Sequence, residues 1–360
     1  MANRLKTILT LFSKNNSESY WLDEAEKVLT ECIKLCRLYN DEYVTFSEIH
    51  KLVTIPNYYC EKLKLLKQKF LSGILSKKEL HELLSSIEFF QKEFNSLDSR
   101  TKAILKSEIT RITNAFISDY DVLNLFSPQK ENLNFYGFED VVKSGKIVVL
   151  NMNISEYTNL SKIIAAYLKL DFQTEVMSRL AKDNKNIRSV AFISDEYHEY
   201  ITDTDGNFFA QSREAKCINI VATQSYTSLL NSLNNNYSAK VIIQNLINKF
   251  WFRTDDIFTI EDAQKQLGKE EKIKYSRSSS ESSTNLKSNS YLSNILSSDK
   301  PNFSESLNTY TQFDFIYDTN FFTQKLETFN CLAFLSTGTS ILPPQKIKLI
   351  PYFILDKDMK

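Results

Sequence analysis

Three short apolar runs constrain the fold of this chain more than any other feature. Ile147–Asn151 (IVVLN), Ser189–Ser194 (SVAFIS) and Cys217–Ala222 (CINIVA) are rich in aliphatic and β-branched residues and show little polar alternation. Strands of that kind are buried on both faces, and the helical stretches Leu160–Leu180 and Phe208–Glu214 between them supply crossovers. The spacing therefore predicts a parallel sheet covered by helices on both sides. The alternation continues with a helix at Ala239–Asn248, a strand at Lys249–Phe252 and a helix at Thr259–Leu267. Asn330–Leu335 (NCLAFL), a turn at Ser336–Thr339 and Lys346–Ile350 (KIKLI) predict a closing β-hairpin at the sheet edge.

Residues 1–128 read differently. Between Tyr20 and Leu38, the residues Trp21, Ala25, Val28, Leu29, Cys32, Ile33 and Cys36 recur at helical spacing. Further helical segments run over about Tyr58–Leu71, Lys77–Asn95 and Ser99–Ile117, punctuated by Pro56, Gly73, Asn95 and Pro128. At 360 residues the chain is long enough for about two domains. The expected organisation is an all-α domain over 1–128 and an α/β domain over 129–360. Eleven of the twenty-four residues in Ser276–Asp299 are serine, a composition that predicts a flexible loop over 276–299.

Charge balances at 44 basic against 44 acidic residues, which excludes a polybasic or acidic tail as the main theme. Lys62, Lys64, Lys67, Lys69, Lys77 and Lys78 form a mildly basic strip, but Glu61 and Glu79 flank it and a solvated helix face is the simpler reading. No apolar run approaches the ~18 residues of a bilayer span. Five cysteines without a framework point to a reducing, cytoplasmic setting. Cys32 and Cys36 share a helical face but have no second ligand pair, so they read as core residues rather than half a metal site. His50 and His81 have no partner at metal spacing, and His198 reads as a structural loop histidine.

Glycine is scarce. The six glycines are Gly73, Gly137, Gly145, Gly206, Gly268 and Gly338, and no two stand five apart. A G-x-x-x-x-G-K-[ST] loop, whose backbone amides cradle phosphates, is therefore absent, as is a G-x-G-x-x-G fingerprint.

Asp195 and Glu196 directly follow SVAFIS. An acidic pair beyond the carboxyl end of a buried strand can bind Mg²⁺ through the first carboxylate and activate water with the second. The same pair can equally be a solvated strand end or a helix cap. Gln224 and Thr223 lie just past CINIVA and are expected to face the same crevice, where an amide can report a γ-phosphate. Arg213, on the intervening loop, can stabilise developing charge in cis or across a subunit boundary. Alone, Arg213 reads as a surface ion pair with Glu214 or Glu199, and Gln224 as a polar residue at a helix start.

The runs VAFISDEYHEY, FFAQSREAKCINIVATQS and NLINKFWFRTDDIFTIEDAQKQLGK resemble the TraM-recognition region of conjugative coupling-protein ATPases of the TraG/TraD type. The matching positions are Asp195-Glu196, Arg213, Thr223-Gln224, Asp255-Asp256 and Leu267-Gly268. The resemblance extends to NCLAFLSTGTSILPPQKIKLIPYF and, more weakly, back through IVVLNMN and SYWLDEAEKVL. It implies a RecA-like α/β motor domain with an N-terminal all-α domain. It further implies a hexameric ring at the inner face of the cell membrane, using ATP and Mg²⁺ to pass single-stranded DNA with its relaxase into a type IV secretion channel. Asp195 would hold Mg²⁺, Thr223 and Gln224 would meet nucleotide, and Glu196 and Arg213 would act in hydrolysis. The family's first strand, Walker A loop and membrane helices should precede SYWLDEAEKVL and have no match. The chain is thus expected to resemble the C-terminal part of such a motor, truncated or split. Alone it should bind ATP poorly and hydrolyse none, its nucleotide site being completed by a Walker A-bearing polypeptide or not at all. The competing expectations are a non-catalytic scaffold remnant, or another HerA-like or secretion-assembly ATPase.

Overall fold

Helix caps and apolar stripes dictate the first half of the molecule. The computed structural model describes residues 1–12, 19–73, 75–181, 188–233, 236–282, 302–351 and 353. Contacts divide the chain into two units, Met1–Gln224 with Ser228–Leu246, and Ser225–Thr227 with Ile247–Lys360. The helices up to residue 128 therefore share a unit with the first two strands.

In the first unit, helices α1 (Ala2–Phe12), α2 (Ser19–Tyr39), α3 (Phe46–Thr54), α4 (Tyr58–Leu71), α5 (Lys77–Glu88), α6 (Ser99–Ile117) and α7 (Tyr120–Phe126) precede α8 (Phe138–Ser144) and α9 (Ile154–Ser178). Thr45, Asp98 and Asp119 cap α3, α6 and α7 through their side-chain oxygens, and Ser76 forms a capping box with Glu79 on α5. The stripe on α2 is buried as its spacing predicts, with Ala25, Val28, Leu29, Cys32, Leu35 and Cys36 in one core with Leu5, Ile49, Leu66, Phe90 and Ile109. All five cysteines are free thiols, and burial pushes Cys36 up to about 12, as befits small core residues.

Strands β1 (Val190–Ser194) and β2 (Cys217–Val221) pair in parallel, joined through α10 (Asp205–Gln211). In the register Val190↔Cys217 to Ser194↔Val221, directly paired residues share a face. Phe192 faces the helices, with its ring stacked 5.7 Å from Phe172 of α9. Asn219 faces the same side and donates to Ser212 Oγ at 2.8 Å. Ala191, Ile193, Ile218 and Ile220 form the other face, and it is exposed. The expectation of cover on both faces holds for one face only among the described residues.

Ile147–Asn151 is not a strand. The run has no ladder partner among the described residues, and Ile147 and Val149 are 90% and 79% exposed. It faces β1 across a cleft of about 1090 Å³ that both segments line. Its composition favours a strand, but without an adjacent edge in hydrogen-bonding register no ladder forms.

The chain continues through α11 (Tyr226–Ser232) and α12 (Asn236–Asn245) into the second unit. There β3 (Lys249–Trp251), α13 (Ile257–Leu267), β4 (Lys269–Ser282), β5 (Asn302–Phe315), β6 (Asn330–Phe334) and β7 (Gln345–Lys348) follow. The sheet order is β3-β6-β7, antiparallel throughout, so the 249–252 strand does not extend a parallel sheet but receives the closing hairpin on its edge. Trp251, Ile260, Ala263, Leu267, Phe322, Leu326 and Leu332 form its core.

β4 and β5 form a fourteen-residue antiparallel hairpin. Residues 276–282, expected to be loop, are thus strand, while 283–299 lie outside the described residues. Serine cannot drive burial, but it does not oppose a ladder, and the stretch continues in register from the β-forming pairs Ile273↔Thr311, Lys274↔Tyr310 and Tyr275↔Thr309.

Candidate functional site at the carboxyl rim of the parallel strands

β1 and β2 end together, so the residues after them meet. Ala222 N donates to Ser194 O at 2.8 Å, and Tyr197 N donates to Ala222 O at 2.9 Å, tying the two strand ends. Between these bonds stand Asp195 and Glu196. Glu196 adopts a left-handed backbone (φ 47°, ψ 42°), which a residue with a Cβ adopts at a cost of roughly 1–2 kcal/mol. Its amide donates to Asp195 Oδ1 at 2.9 Å, and Glu199 N donates to its carbonyl at 2.9 Å.

The turn brings the Glu196 carboxylate to Gln224. Gln224 Nε2 stands 3.3 Å from both Oε1 and Oε2. His198 Nδ1 lies 3.2 Å from Thr223 Oγ1 and 3.5 Å from Glu196 Oε2, and its Nε2 lies 3.6 Å from Glu199. The structural reading of His198 fits this placement, since its ring braces the two strand ends. Asp195, Glu196, Thr223 and Gln224 therefore share one rim.

Arg213 does not join them. It lies in the turn before β2, whereas Gln224 follows that strand, and the strand alone spans roughly 13 Å. Its side chain is exposed and has no hydrogen bond or ion pair among the described residues, so neither Glu214 nor Glu199 holds it. Glu199 pairs instead with Lys162 at 2.5 Å.

Sequence reasoning missed what holds the rim. Lys169 of α9 and Asp205 at the start of α10 form an ion pair at 2.5 Å with side chains 1% and 0% exposed. Asp205 also accepts from Gln173 Nε2 at 2.9 Å, Thr202 N at 2.9 Å, Thr202 Oγ1 at 2.7 Å and the Tyr197 hydroxyl. Lys169 donates to Tyr200 O at 2.7 Å. Burial pushes the Lys169 ammonium below its usual range, with the Asp205 carboxylate pulling it back up. Tyr197 is the residue after Glu196, and the Tyr200 hydroxyl donates to Asp195 O at 2.7 Å. The buried pair thus anchors the loop that carries both carboxylates. A lysine in mid-helix and an aspartate directly after a threonine carry no motif, so only the apolar neighbours of Lys169 in α9 hinted at burial.

The donor set fits part of a Mg–nucleotide site. Mg²⁺ needs only one or two protein carboxylates alongside phosphates and water, and Asp195 presents an exposed one. No cluster of three or more His, Cys, Asp or Glu side chains suited to an all-protein metal site occurs among the described residues. The rim also lacks a glycine-rich cradle for phosphate.

Residues 189–303 match the family described as the TraM recognition site of TraD and TraG. The fold is similar to solved structures of the conjugative coupling protein TrwB. An unbound form of TrwBdeltaN70 matches at TM-score 0.57 and 11% identity, over 97% of this chain and 68% of that one. TrwB with the GTP analogue GDPNP matches at TM-score 0.58 and 11% identity, and TrwB with ADP and Mg²⁺ at 0.56 and 13%, with the same coverage of both chains. No curated protein sequence matches the chain. The chain therefore has the RecA-like α/β fold seen in the coupling-protein structures, and its residues 189–303 are similar to the TraM recognition site of TraD and TraG. No helix among the described residues is long and apolar enough to cross a membrane.

Proposed function

We propose that this chain is part of a nucleotide-driven motor that couples conjugative DNA to a type IV secretion channel, working at the inner face of the membrane. The observation that carries the reading is the Gln224 amide held against both oxygens of Glu196 at the carboxyl rim of β1 and β2, in a chain with the coupling-protein fold.

In this reading Asp195 is the protein ligand for Mg²⁺, and the metal supplies charge neutralisation for the phosphates. Glu196 accepts the proton of the attacking water. Gln224 holds the Glu196 carboxylate until a γ-phosphate competes for its amide, and Thr223 lies beside it as a second polar contact. Arg213, away from this rim within one chain, is exposed to serve the nucleotide of a neighbouring copy in a ring. Residues 189–303 offer the surface for a TraM-type relaxosome protein, and the helices of 1–128 face the single-stranded DNA and relaxase cargo.

The chain holds one half of the catalytic apparatus. Without a phosphate cradle it binds Mg–ATP only when a Walker A-bearing polypeptide completes the rim. The lack of that cradle also supports a second reading, a scaffold that keeps the fold and has shed the chemistry. Calorimetry separates the two. A motor component binds Mg–ATP together with the Walker A-bearing polypeptide and loses turnover with Glu196→Gln. A scaffold binds no nucleotide under either condition.

A further inference from the structure

The β4–β5 hairpin extends the second unit without adding a residue to its core. Directly paired residues of an antiparallel ladder share a face. The pairs Lys274↔Tyr310 and Ser276↔Asn308 mark one face, which is polar. Its charges are matched in place, Lys274 with Asp314 at 2.9 Å and Lys272 with Glu270 at 3.6 Å. The opposite face is built from four successive rows, Glu271↔Phe313, Ile273↔Thr311, Tyr275↔Thr309 and Arg277↔Leu307. There Phe313, Ile273, Tyr275 and Leu307 are 69%, 60%, 70% and 64% exposed. The stripe is bounded at both ends. At its base Lys269 Nζ lies 4.8 Å from the centre of the Phe315 ring, and toward the tip Arg277 is ion-paired with Glu305 across the strands. A two-stranded ribbon alone is at best marginally stable in water, so an apolar face of this length calls for cover.

The four rows are their own complement. A second copy, turned end for end and laid face to face on the first, sets each strand against its own counterpart in the opposite direction. The first row then meets the fourth, and the second meets the third. Phe313 lies over Leu307 of the other copy, Ile273 over Tyr275, and Thr311 over Thr309. Glu271 lies over Arg277, and the two-fold axis repeats each of these pairs. Glu271 has no ion pair among the described residues of its own chain. Arg277 engages Glu305 through Nε, so its terminal guanidinium nitrogens can serve a second carboxylate. Aligned sheets pack about 10 Å apart with strands within about 30° of each other, which keeps rows spanning roughly 20 Å in reach.

We infer that this face of the β4–β5 hairpin docks on the same face of a second copy of the chain, in an antiparallel two-fold contact. Both the apolar rows and the Glu271–Arg277 charges are satisfied by that one arrangement. Four rows of two side chains fall well short of the ~20–30 residues a side of a standard interface, so the pair is reversible, with a Kd of roughly 10–100 µM. An isologous contact closes after two copies, so it joins chains pairwise and differs from the head-to-tail contact of a ring. It involves the second unit alone and stands independently of any nucleotide.

Sedimentation of the full chain over roughly 1–300 µM should show a monomer–dimer equilibrium. Phe313→Asp with Leu307→Asp should weaken it at least roughly tenfold. Tyr310→Ala, on the polar face, should leave it unchanged. A charge exchange gives a reading that spares the apolar residues. Glu271→Arg sets arginine against arginine across the contact. Arg277→Glu with Glu305→Lys sets glutamate against glutamate and keeps the cross-strand pair within the chain. Each variant alone should dissociate, and the two mixed in equal amounts should form a heterodimer, because both pairs between the copies are then restored. A chain that stays monomeric at every concentration, even one that binds some other protein, would overturn the inference. So would a dimer indifferent to the Phe313 and Leu307 substitutions, one equally weakened by Tyr310→Ala, or charge variants that fail to pair when mixed.

Discussion

Gln224 Nε2 is equidistant, at 3.3 Å, from the two carboxylate oxygens of Glu196. A bifurcated contact of this kind is weak in each limb, so a competing acceptor can take the amide with little loss. In the completed assembly, Glu196→Gln should therefore abolish steady-state hydrolysis while Mg–ATP affinity is kept. Gln224→Ala should lower kcat about 10²-fold, with a smaller effect on KM. Unchanged turnover in Gln224→Ala would remove this amide from the reaction.

The Lys169–Asp205 pair separates scaffolding from chemistry. Asp205→Ala leaves a buried ammonium without its partner and should cost about 3–5 kcal/mol in urea unfolding. Lys169→Met with Asp205→Asn removes both charges while keeping an acceptor for the buried donors of Thr202, Gln173 and Tyr197, and should recover part of that loss. Equal destabilisation by the single and double variants would mean the two charges are not coupled.

The rim was legible in the sequence because its chemistry sits on strand ends. SVAFIS and CINIVA are unambiguous as strands, and parallel pairing forces their last residues together, so Asp195, Glu196, Thr223 and Gln224 could be placed on one edge. Arg213 could not, because a residue before a strand lies at the edge opposite to one after it. IVVLN has the composition of a buried strand, yet a strand exists only with a bonded neighbour, which composition does not record. The Ser276–Ser282 stretch misled in the opposite sense, since its ladder depends on a partner strand 20 to 32 residues along, from Ser282↔Asn302 to Ser276↔Asn308. Lys169 and Asp205 are buried because of each other, a pairing that neither local sequence announces.

Asp256 caps α13, accepting from Thr259 N at 3.0 Å, and its carboxylate also accepts from Thr227 Oγ1 at 2.6 Å. Burial alone would raise its carboxyl, but the hydrogen bonds from Thr227 and Thr259 outweigh it and hold the group below its usual range. A depressed carboxyl stabilises the fold above its unfolded value, near ~4, and that contribution fades as pH falls through the folded value. Asp256→Ala should cost about 1 kcal/mol at pH 7. The gap from wild type should narrow below about pH 4 in paired thermal melts. A gap that widens on acidification contradicts the hydrogen-bonded carboxylate.

Burial ranks substitutions within the second unit. Trp251 is 4% exposed and packs on Phe334 with ring centroids 5.9 Å apart, so Trp251→Ala should cost about 3–5 kcal/mol. Ile273 on β4 is 60% exposed, and Ile273→Ala should change stability by no more than about 0.5 kcal/mol. Denaturant midpoints of the two variants provide the comparison. Comparable losses would place the β4–β5 hairpin inside a core.

The backbone of Glu196 gives a prediction in which stability and activity move apart. Its left-handed conformation costs roughly 1–2 kcal/mol for any residue with a Cβ. Glycine adopts that conformation freely, though it gives back roughly 0.5–1 kcal/mol through the greater entropy of its unfolded chain. Glu196→Gly should therefore be more stable than Glu196→Ala by up to about 1 kcal/mol, because alanine keeps the strain while both variants lose the contact with Gln224 alike. Neither variant should support hydrolysis in the completed assembly, since both remove the carboxylate. Urea midpoints order the pair directly. If the alanine variant proves the more stable, the turn does not hold residue 196 in the left-handed region, and the side chain reaches Gln224 by some other backbone path.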